Sequence, residues 1–140
     1  MQMLPIKHNW EFYLLWLAGI YNISFGFWAI FFPKSAFEIF GLAVPHYLEL
    51  WQCLGMIVGV YGLGFIIAAY NPIRYWPIIL IAFLGKSFGP IGFTKAIIDQ
   101  SFPISFGLII LLNDMIWLIP FFFILKKAYR FNSSVKKQTL

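Results

Sequence analysis

The sequence predicts an all-α integral membrane protein, a four-transmembrane-helix bundle with a short interfacial helix in the first outer loop. Composition is the first reason, because 61% of the residues are hydrophobic, 11% are charged and the mean hydropathy is +0.82. Soluble domains carry about 25% charged residues, so this chain is too apolar to be one. The second reason is that its apolar windows are about 20 residues long, which matches a hydrocarbon core about 30 Å thick.

The predicted helices span about residues 11–32, 48–70, 75–95 and 103–125. They account for most of the chain, so residues 1–140 form a single transmembrane domain that ends in a basic tail at 126–140. The first window follows Lys7 as in a signal peptide, but it is too long and lacks an A-x-A site, so we expect it to stay uncleaved. Between the first two helices, SAFEIFGL predicts the interfacial helix, with Ser35 as its N-cap and Gly41 near its end.

The basic residues predict the orientation, because positively charged short segments are retained in the cytoplasm. With the N-terminus inside, Lys34 and Lys95 lie on the outer side. The cytoplasmic side carries the basic residues Lys7, Arg74, Lys126, Lys127, Arg130, Lys136 and Lys137. We therefore expect both termini to be cytoplasmic and the tail to lie on anionic headgroups of the lipid bilayer. Nucleic acid is not an expected partner, because no folded basic module accompanies the tail.

Two helices carry a stripe of small and polar residues along one face. The stripes are Gly19, Asn22, Gly26 and Ala29 in the first helix, and Gln52, Gly55, Gly59 and Gly62 in the second. Spacings of three and four residues keep each stripe on one helical face. Small residues let helix backbones approach closely in lipid, so the first interpretation is packing within the bundle. A cavity lined by the two faces is the alternative.

Two charged residues fall in the middle of predicted helices. Lys86 is twelve residues from Arg74, and Asp114 is twelve residues from Lys126. At about 1.5 Å per residue, each lies about 18 Å from the cytoplasmic face. The third and fourth helices are consecutive and antiparallel, so we expect Lys86 and Asp114 to meet near mid-bilayer. A single charge at that depth costs about 2.5–3.5 kcal/mol on insertion scales, which pairing largely removes.

Other polar and aromatic residues fall at a similar depth. Asn113 can add a hydrogen bond to the pair, and Asn22 and Tyr61 lie near the middle of their own helices. Trp117 lies one helical turn beyond Asp114. Together with the charged pair, these residues form the predicted substrate or proton site. A pair that only fixes helix register is the alternative interpretation.

Prolines interrupt both helices that carry the charges. Pro90 has no amide hydrogen for the carbonyl of Lys86, and Pro120 has none for the carbonyl of Ile116. We expect a kink at each proline, with a free carbonyl close to a charge. Gly85, Gly89 and Gly92 further weaken the helix around Lys86. Broken helices beside a buried charge occur at the central sites of many transporters.

LGKSFGPIGF and LLNDMIWLIPF, which carry Lys86 and Asp114, resemble segments of a group of small, mostly uncharacterised bacterial inner-membrane proteins with four helices, DoxX-like in size and layout. The resemblance covers about residues 80–124 and is looser in YNISFGFWAIFFP and LWQCLGMIVGVYGLGF. It implies a four-helix fold in a bacterial inner membrane. Some relatives of DoxX-like proteins are linked to quinone or thiol redox systems, but the resemblance assigns no catalytic residue here.

Several chemistries are disfavoured by the sequence. Cys53 is the one cysteine, which excludes a C-x-x-C oxidoreductase and an internal disulfide. His8 and His46 fall on opposite sides of the predicted bundle, which disfavours a haem with two histidine ligands. Zinc-ligand clusters, a nucleophile beside a base, a Walker loop and a dinucleotide fingerprint do not occur. The sequence favours a protein that is not an enzyme, and it identifies no metal or cofactor.

Three classes of function remain. The first is a binding or transport protein that handles a proton, an ion or a small amphiphile at the Lys86–Asp114 site, with a homo-oligomer or a membrane partner protein left open. The second is an accessory membrane subunit of a quinone or redox system, and the third is a purely structural membrane protein. A water-filled cavity reaching the pair favours transport, an apolar groove beside Trp117 and Tyr61 favours quinone or lipid, and a dry sealed pair favours the structural class.

Overall fold

The computed structural model of the protein describes residues 9–138, with side chains up to Ser134. Four helical stretches within this range are long and apolar enough to cross a membrane: Trp10–Phe31, Leu48–Tyr70, Trp76–Ile98 and Ile104–Ser134. The predicted all-α four-helix membrane bundle is therefore confirmed. Lys7 and His8, on which part of the orientation and haem arguments rest, lie outside the described residues, as do the side chains of Lys136 and Lys137.

The helices follow one another as an up-and-down bundle. We name them α1 (Trp10–Phe31), α2 (Ser35–Ile39), α3 (Leu48–Tyr70) and α4 (Trp76–Ile98). The fourth span consists of a 3₁₀ turn (Ile104–Phe106), α5 (Gly107–Ile110), a π-helical turn (Leu111–Met115) and α6 (Ile116–Gln138). The fourth span, predicted over about 103–125, is found as Ile104–Ser134, and the π turn inside it was not predicted. Most of the basic tail continues α6.

The two ends of the bundle are defined by what they carry. The end with the start of α1, the turn at 71–75 and the tail is called the terminal end. The end with α2 and the connection at 99–103 is called the loop end. These names refer to the two ends of the bundle and do not assign either end to a side of the membrane.

Close contact between α1 and α3 runs along both helices and is made by their small residues. A Cβ atom on Gly62 would lie 2.6 Å from the carbonyl oxygen of Gly19, and one on Gly26 would lie 3.0 Å from the Cα of Gly59. A Cβ on Gly55 would lie 2.7 Å from the Cβ of Ala29. The glycines of both predicted stripes therefore lie where backbones touch, as expected for helix packing in lipid.

The main hydrophobic core lies in the half of the bundle near the terminal end. All four spans contribute to it, and its buried members are Leu15, Ala18, Phe65, Ala68, Ala69, Ile79, Ala82, Trp117, Phe121 and Ile124. The rings of Phe65 and Phe121 meet edge to face at 5.1 Å, and neither is exposed. This core seals the bundle between its middle and its terminal end, since interiors of this kind pack without room for water.

The short helix α2 covers part of the loop end. It begins at Ser35, with Lys34 in the N-cap position, so the predicted N-cap role of Ser35 is wrong. The hydroxyl of Ser35 donates instead to the carbonyl of Phe32. At the other end, Gly41 has φ +66° and the N–H of Leu42 bonds the carbonyl of Phe37, which is a Schellman motif.

Contacts between α3 and α4 are sparse compared with those between α1 and α3. We call the boundary between α3 and α4 the α3–α4 seam. Along the apolar stretches of the four spans, only 17% to 33% of the residues are buried within the protein. The remaining apolar side chains form the outer surface, which suits a surrounding of lipid.

Candidate functional site

The predicted partners Lys86 and Asp114 lie side by side near the middle of the bundle. Lys86 is on α4 and Asp114 is in the π turn, and the distance from Lys86 Nζ to Asp114 Oδ1 is 3.6 Å. Their side chains are only 9% and 10% exposed. Counting residues from the end of each helix therefore correctly predicted that Lys86 and Asp114 meet. The ammonium of Lys86 also donates a hydrogen bond to the main-chain carbonyl of Asn113.

Asn113 links the pair to the π turn. Its Nδ2 donates to Asp114 Oδ1 over 3.0 Å, which fixes the amide with its oxygen turned away from the carboxylate. That oxygen, Oδ1, is buried and has no hydrogen-bond partner among the described residues. A buried polar atom without a partner is costly, so such an atom calls for an explanation.

Side chains donate hydrogen bonds to two backbone carbonyls of the π turn. The N–H of Ile116 reaches back five residues to the carbonyl of Leu111, which is the bonding pattern of a π turn. The indole Nε1 of Trp117 donates to the carbonyl of Leu112 over 3.0 Å, and the ammonium of Lys86 donates to the carbonyl of Asn113. Pro90 and Pro120 lie inside α4 and α6, and the kinks expected at them stay predictions.

A glycine on α4 makes room for the carboxylate. A Cβ atom on Gly89 would collide with Asp114 Oδ2 and lie 3.1 Å from its Cγ. Equivalent atoms on Gly85 and Gly92 would meet nothing within 4 Å. Of these three glycines, Gly89 alone is needed for the fit, because Asp114 packs directly on the backbone of α4 at this position.

A cavity of about 180 Å³ adjoins the charged pair. One buried water needs about 10–15 Å³ of such space, so the cavity can hold a small polar group. Its polar lining consists of Asn22, Tyr61, Lys86, Asn113 and Asp114. Its remaining lining is apolar, and Phe65 and Ala82 belong to the buried core as well.

Asn22 reaches this cavity from α1, although its neighbours in the stripe pack against α3. The residue is 2% exposed, and its Oδ1 is a second buried oxygen without a partner in the described part of the chain. The stripe on α1 therefore does two things: its glycines pack the helices, and its asparagine lines the cavity.

An apolar groove of about 530 Å³ runs along the α3–α4 seam on the outer surface. It shares Ile57, Tyr61 and Ile81 with the lining of the cavity. Ile57 and Ile81 are 54% and 55% exposed, so they face the surroundings of the protein. The polar cavity and the groove are therefore neighbours that share three lining residues, and the groove lies on the surface that lipid would cover.

Trp117 is not part of the cavity lining, unlike the other predicted site residues. It is buried in the core, and its ring lies 5.6 Å from that of Tyr21. A π turn holds an extra residue, so residues beyond it face a different direction from the one that α-helical spacing predicts. Trp117 supports the site through its hydrogen bond to the π turn.

A second ion pair was not predicted from the sequence. Glu11 at the start of α1 is 3% exposed and accepts a hydrogen bond from Lys127 on α6. The pair lies beside a separate cavity of about 160 Å³ at the terminal end. A signal was available, because Glu11 is the only acidic residue that the predicted topology leaves on that side of the bundle.

The geometry defines a small multi-pass membrane protein with a polar cavity in the middle of its bundle. Among the described residues, no three histidine, cysteine or acidic side chains come together as they would to hold a metal ion. Cys53 is a free thiol exposed on α3. No protein-family model, curated protein or solved structure matches the chain.

Proposed function

We propose that this protein binds a small amphiphile whose polar end occupies the central cavity and whose apolar chain lies in the groove along the α3–α4 seam. The observation that carries this proposal is that the cavity and the groove are adjacent and share Ile57, Tyr61 and Ile81 in their linings. Binding sites in proteins are typically apolar clefts with a few well-placed polar groups, which describes this arrangement.

The alternatives are less well supported by the same residues. A purely structural ion pair needs no cavity beside it, and two buried oxygens without partners would only weaken it. Transport from one aqueous side needs a polar path to the pair. On the side of the terminal end, the buried rings of Phe65 and Phe121 block such a path. An accessory role in a quinone system stays compatible with the groove, since a quinone is itself an amphiphile.

The test uses a dodecan-1-ol that carries a photoreactive diazirine midway along its chain. The probe is added to the protein in lipid nanodiscs, and labelled positions are mapped by mass spectrometry. We expect labelling of the groove on α3, between Met56 and Gly64. Ile81→Trp should reduce it several-fold by filling the groove, whereas Ile91→Trp, on an exposed part of α4 outside the groove, should not. Equal labelling in both variants, or none in the parent protein, would refute the proposal.

The proposed location is a bacterial inner membrane with both termini in the cytoplasm. The basic residues and the DoxX-like resemblance over about residues 80–124 support it. Reporter fusions after Ser134 and after Lys34 test the orientation. An active periplasmic reporter after Ser134 would contradict it.

A further inference from the structure

Two buried hydrogen-bond acceptors in the lining of the cavity have no partner among the described residues. They are Asn22 Oδ1 and Asn113 Oδ1. The ammonium of Lys86 donates to the main-chain carbonyl of Asn113 and pairs with Asp114, so it bonds neither amide oxygen. A buried acceptor without a partner loses free energy that a suitable donor restores. A bound molecule that donates hydrogen bonds would therefore complete this site.

The charges of the cavity are balanced before any ligand arrives. Lys86 and Asp114 contribute one positive and one negative charge, and the lining includes no other charged residue. A ligand with an ammonium or a carboxylate group would add an uncompensated charge in the middle of an apolar bundle, which is strongly unfavourable. A neutral donor avoids that cost.

We infer that the ligand is a neutral, hydroxyl-bearing amphiphile whose hydroxyl donates to the amide oxygen of Asn22. The inference rests on the proposed function, because it names the chemical class of molecule for the same site. The hydroxyl can also accept a hydrogen bond from Tyr61, whose ring belongs to both cavity and groove. A carbonyl or ether oxygen cannot satisfy that amide oxygen, since it has no hydrogen to donate.

Four unlabelled competitors that share one dodecyl chain test this inference: dodecan-1-ol, its methyl ether, dodecylammonium and dodecanoate. Each competes with the photoreactive dodecan-1-ol for labelling of the groove in nanodiscs. Dodecan-1-ol should compete about 2- to 12-fold better than the ether, since one hydrogen bond is worth roughly 0.5–1.5 kcal/mol. Both charged competitors should be weaker than dodecan-1-ol. If all four compete equally, the site binds amphiphiles but the hydroxyl preference is wrong, whereas no site-specific labelling refutes the proposed function itself.

A pair of variants isolates the contribution of the amide oxygen. Asn22→Leu removes this acceptor, so it should weaken labelling by the alcohol probe and bring the alcohol and its ether to nearly equal competition for the labelling that remains. Gln52→Leu is the matched control, because Gln52 is another partly buried amide on the α1–α3 contact, bonded to the carbonyl of Ile30 outside the cavity. An unchanged preference for the alcohol over the ether in Asn22→Leu, or its loss in Gln52→Leu, would contradict the assigned role. Asn22→Gln, which keeps an amide oxygen, should retain part of the preference.

Discussion

Substituting Gly89 tests whether Asp114 is held where the structure places it. In Gly89→Ala the new Cβ would collide with the carboxylate of Asp114, whose Cγ would lie 3.1 Å away. The carboxylate or α4 must then move, and Lys86 would lose part of its ion pair. Overpacking of this kind costs about 1–3 kcal/mol. The substitution also adds helix propensity, which favours the variant by about 1 kcal/mol.

Gly92→Ala separates these two effects. A Cβ on Gly92 would meet nothing within 4 Å, so this variant gains helix propensity without any collision. The difference in free energy of unfolding between the two variants should therefore be about 1–3 kcal/mol, with Gly89→Ala the less stable. Shortening the side chain in an Asp114→Ala background should remove the difference, because only the Cβ of residue 114 then remains, at an ordinary contact distance of 3.8 Å from the new Cβ.

The measurement is thermal unfolding of the purified variants in one detergent, combined with labelling by the photoreactive dodecan-1-ol. Gly89→Ala should unfold at a lower temperature than Gly92→Ala and should label less strongly, since its cavity lining is displaced. If the two variants unfold alike, or if the difference persists in the Asp114→Ala background, the close packing of Asp114 on α4 is wrong.

Two further predictions concern the ion pairs. Lys86→Met or Asp114→Leu alone leaves one buried charge without its partner and should lower the free energy of unfolding by about 3–5 kcal/mol, whereas the double variant should recover most of the loss. A double-mutant cycle on unfolding in detergent measures the coupling between the two residues. If the two single losses merely add, the residues act independently. Lys127→Met leaves the buried carboxylate of Glu11 unpaired and should cost about 1–3 kcal/mol. Lys126→Met, at the neighbouring exposed position, should change stability by less than about 0.5 kcal/mol, and equal effects at the two lysines would refute the importance of the second ion pair.

The features that could be predicted from the sequence depend on regular geometry. Windows of about 20 apolar residues gave the four spans, because the thickness of the hydrocarbon core fixes helix length. The constant rise along a helix placed Lys86 and Asp114 at one depth, and they do meet. Asn22 and Tyr61 were identified by the same argument, and both line the cavity.

What could not be predicted depends on tertiary contacts. The segment LLNDM contains no proline or glycine, and nothing in it distinguishes a π turn from an α-helix. The π turn is compatible with the fold because Lys86 and Trp117 donate to its carbonyls, and the donor from Lys86 arrives only when α4 has packed against the fourth span. The position of Trp117 outside the cavity follows from this shift.

The α3–α4 seam also bears on how the protein is assembled during synthesis. It separates two helical hairpins, one formed by α1 and α3 and the other by α4 and the fourth span. The ribosome delivers the first hairpin before the second, and the glycine contacts can close it at once. Lys86 and Asp114 both belong to the second hairpin, so each charge meets its partner before the hairpins dock. The cavity is complete only after docking, when Asn22 and Tyr61 join it, and a molecule bound there would hold the two hairpins together by mass action.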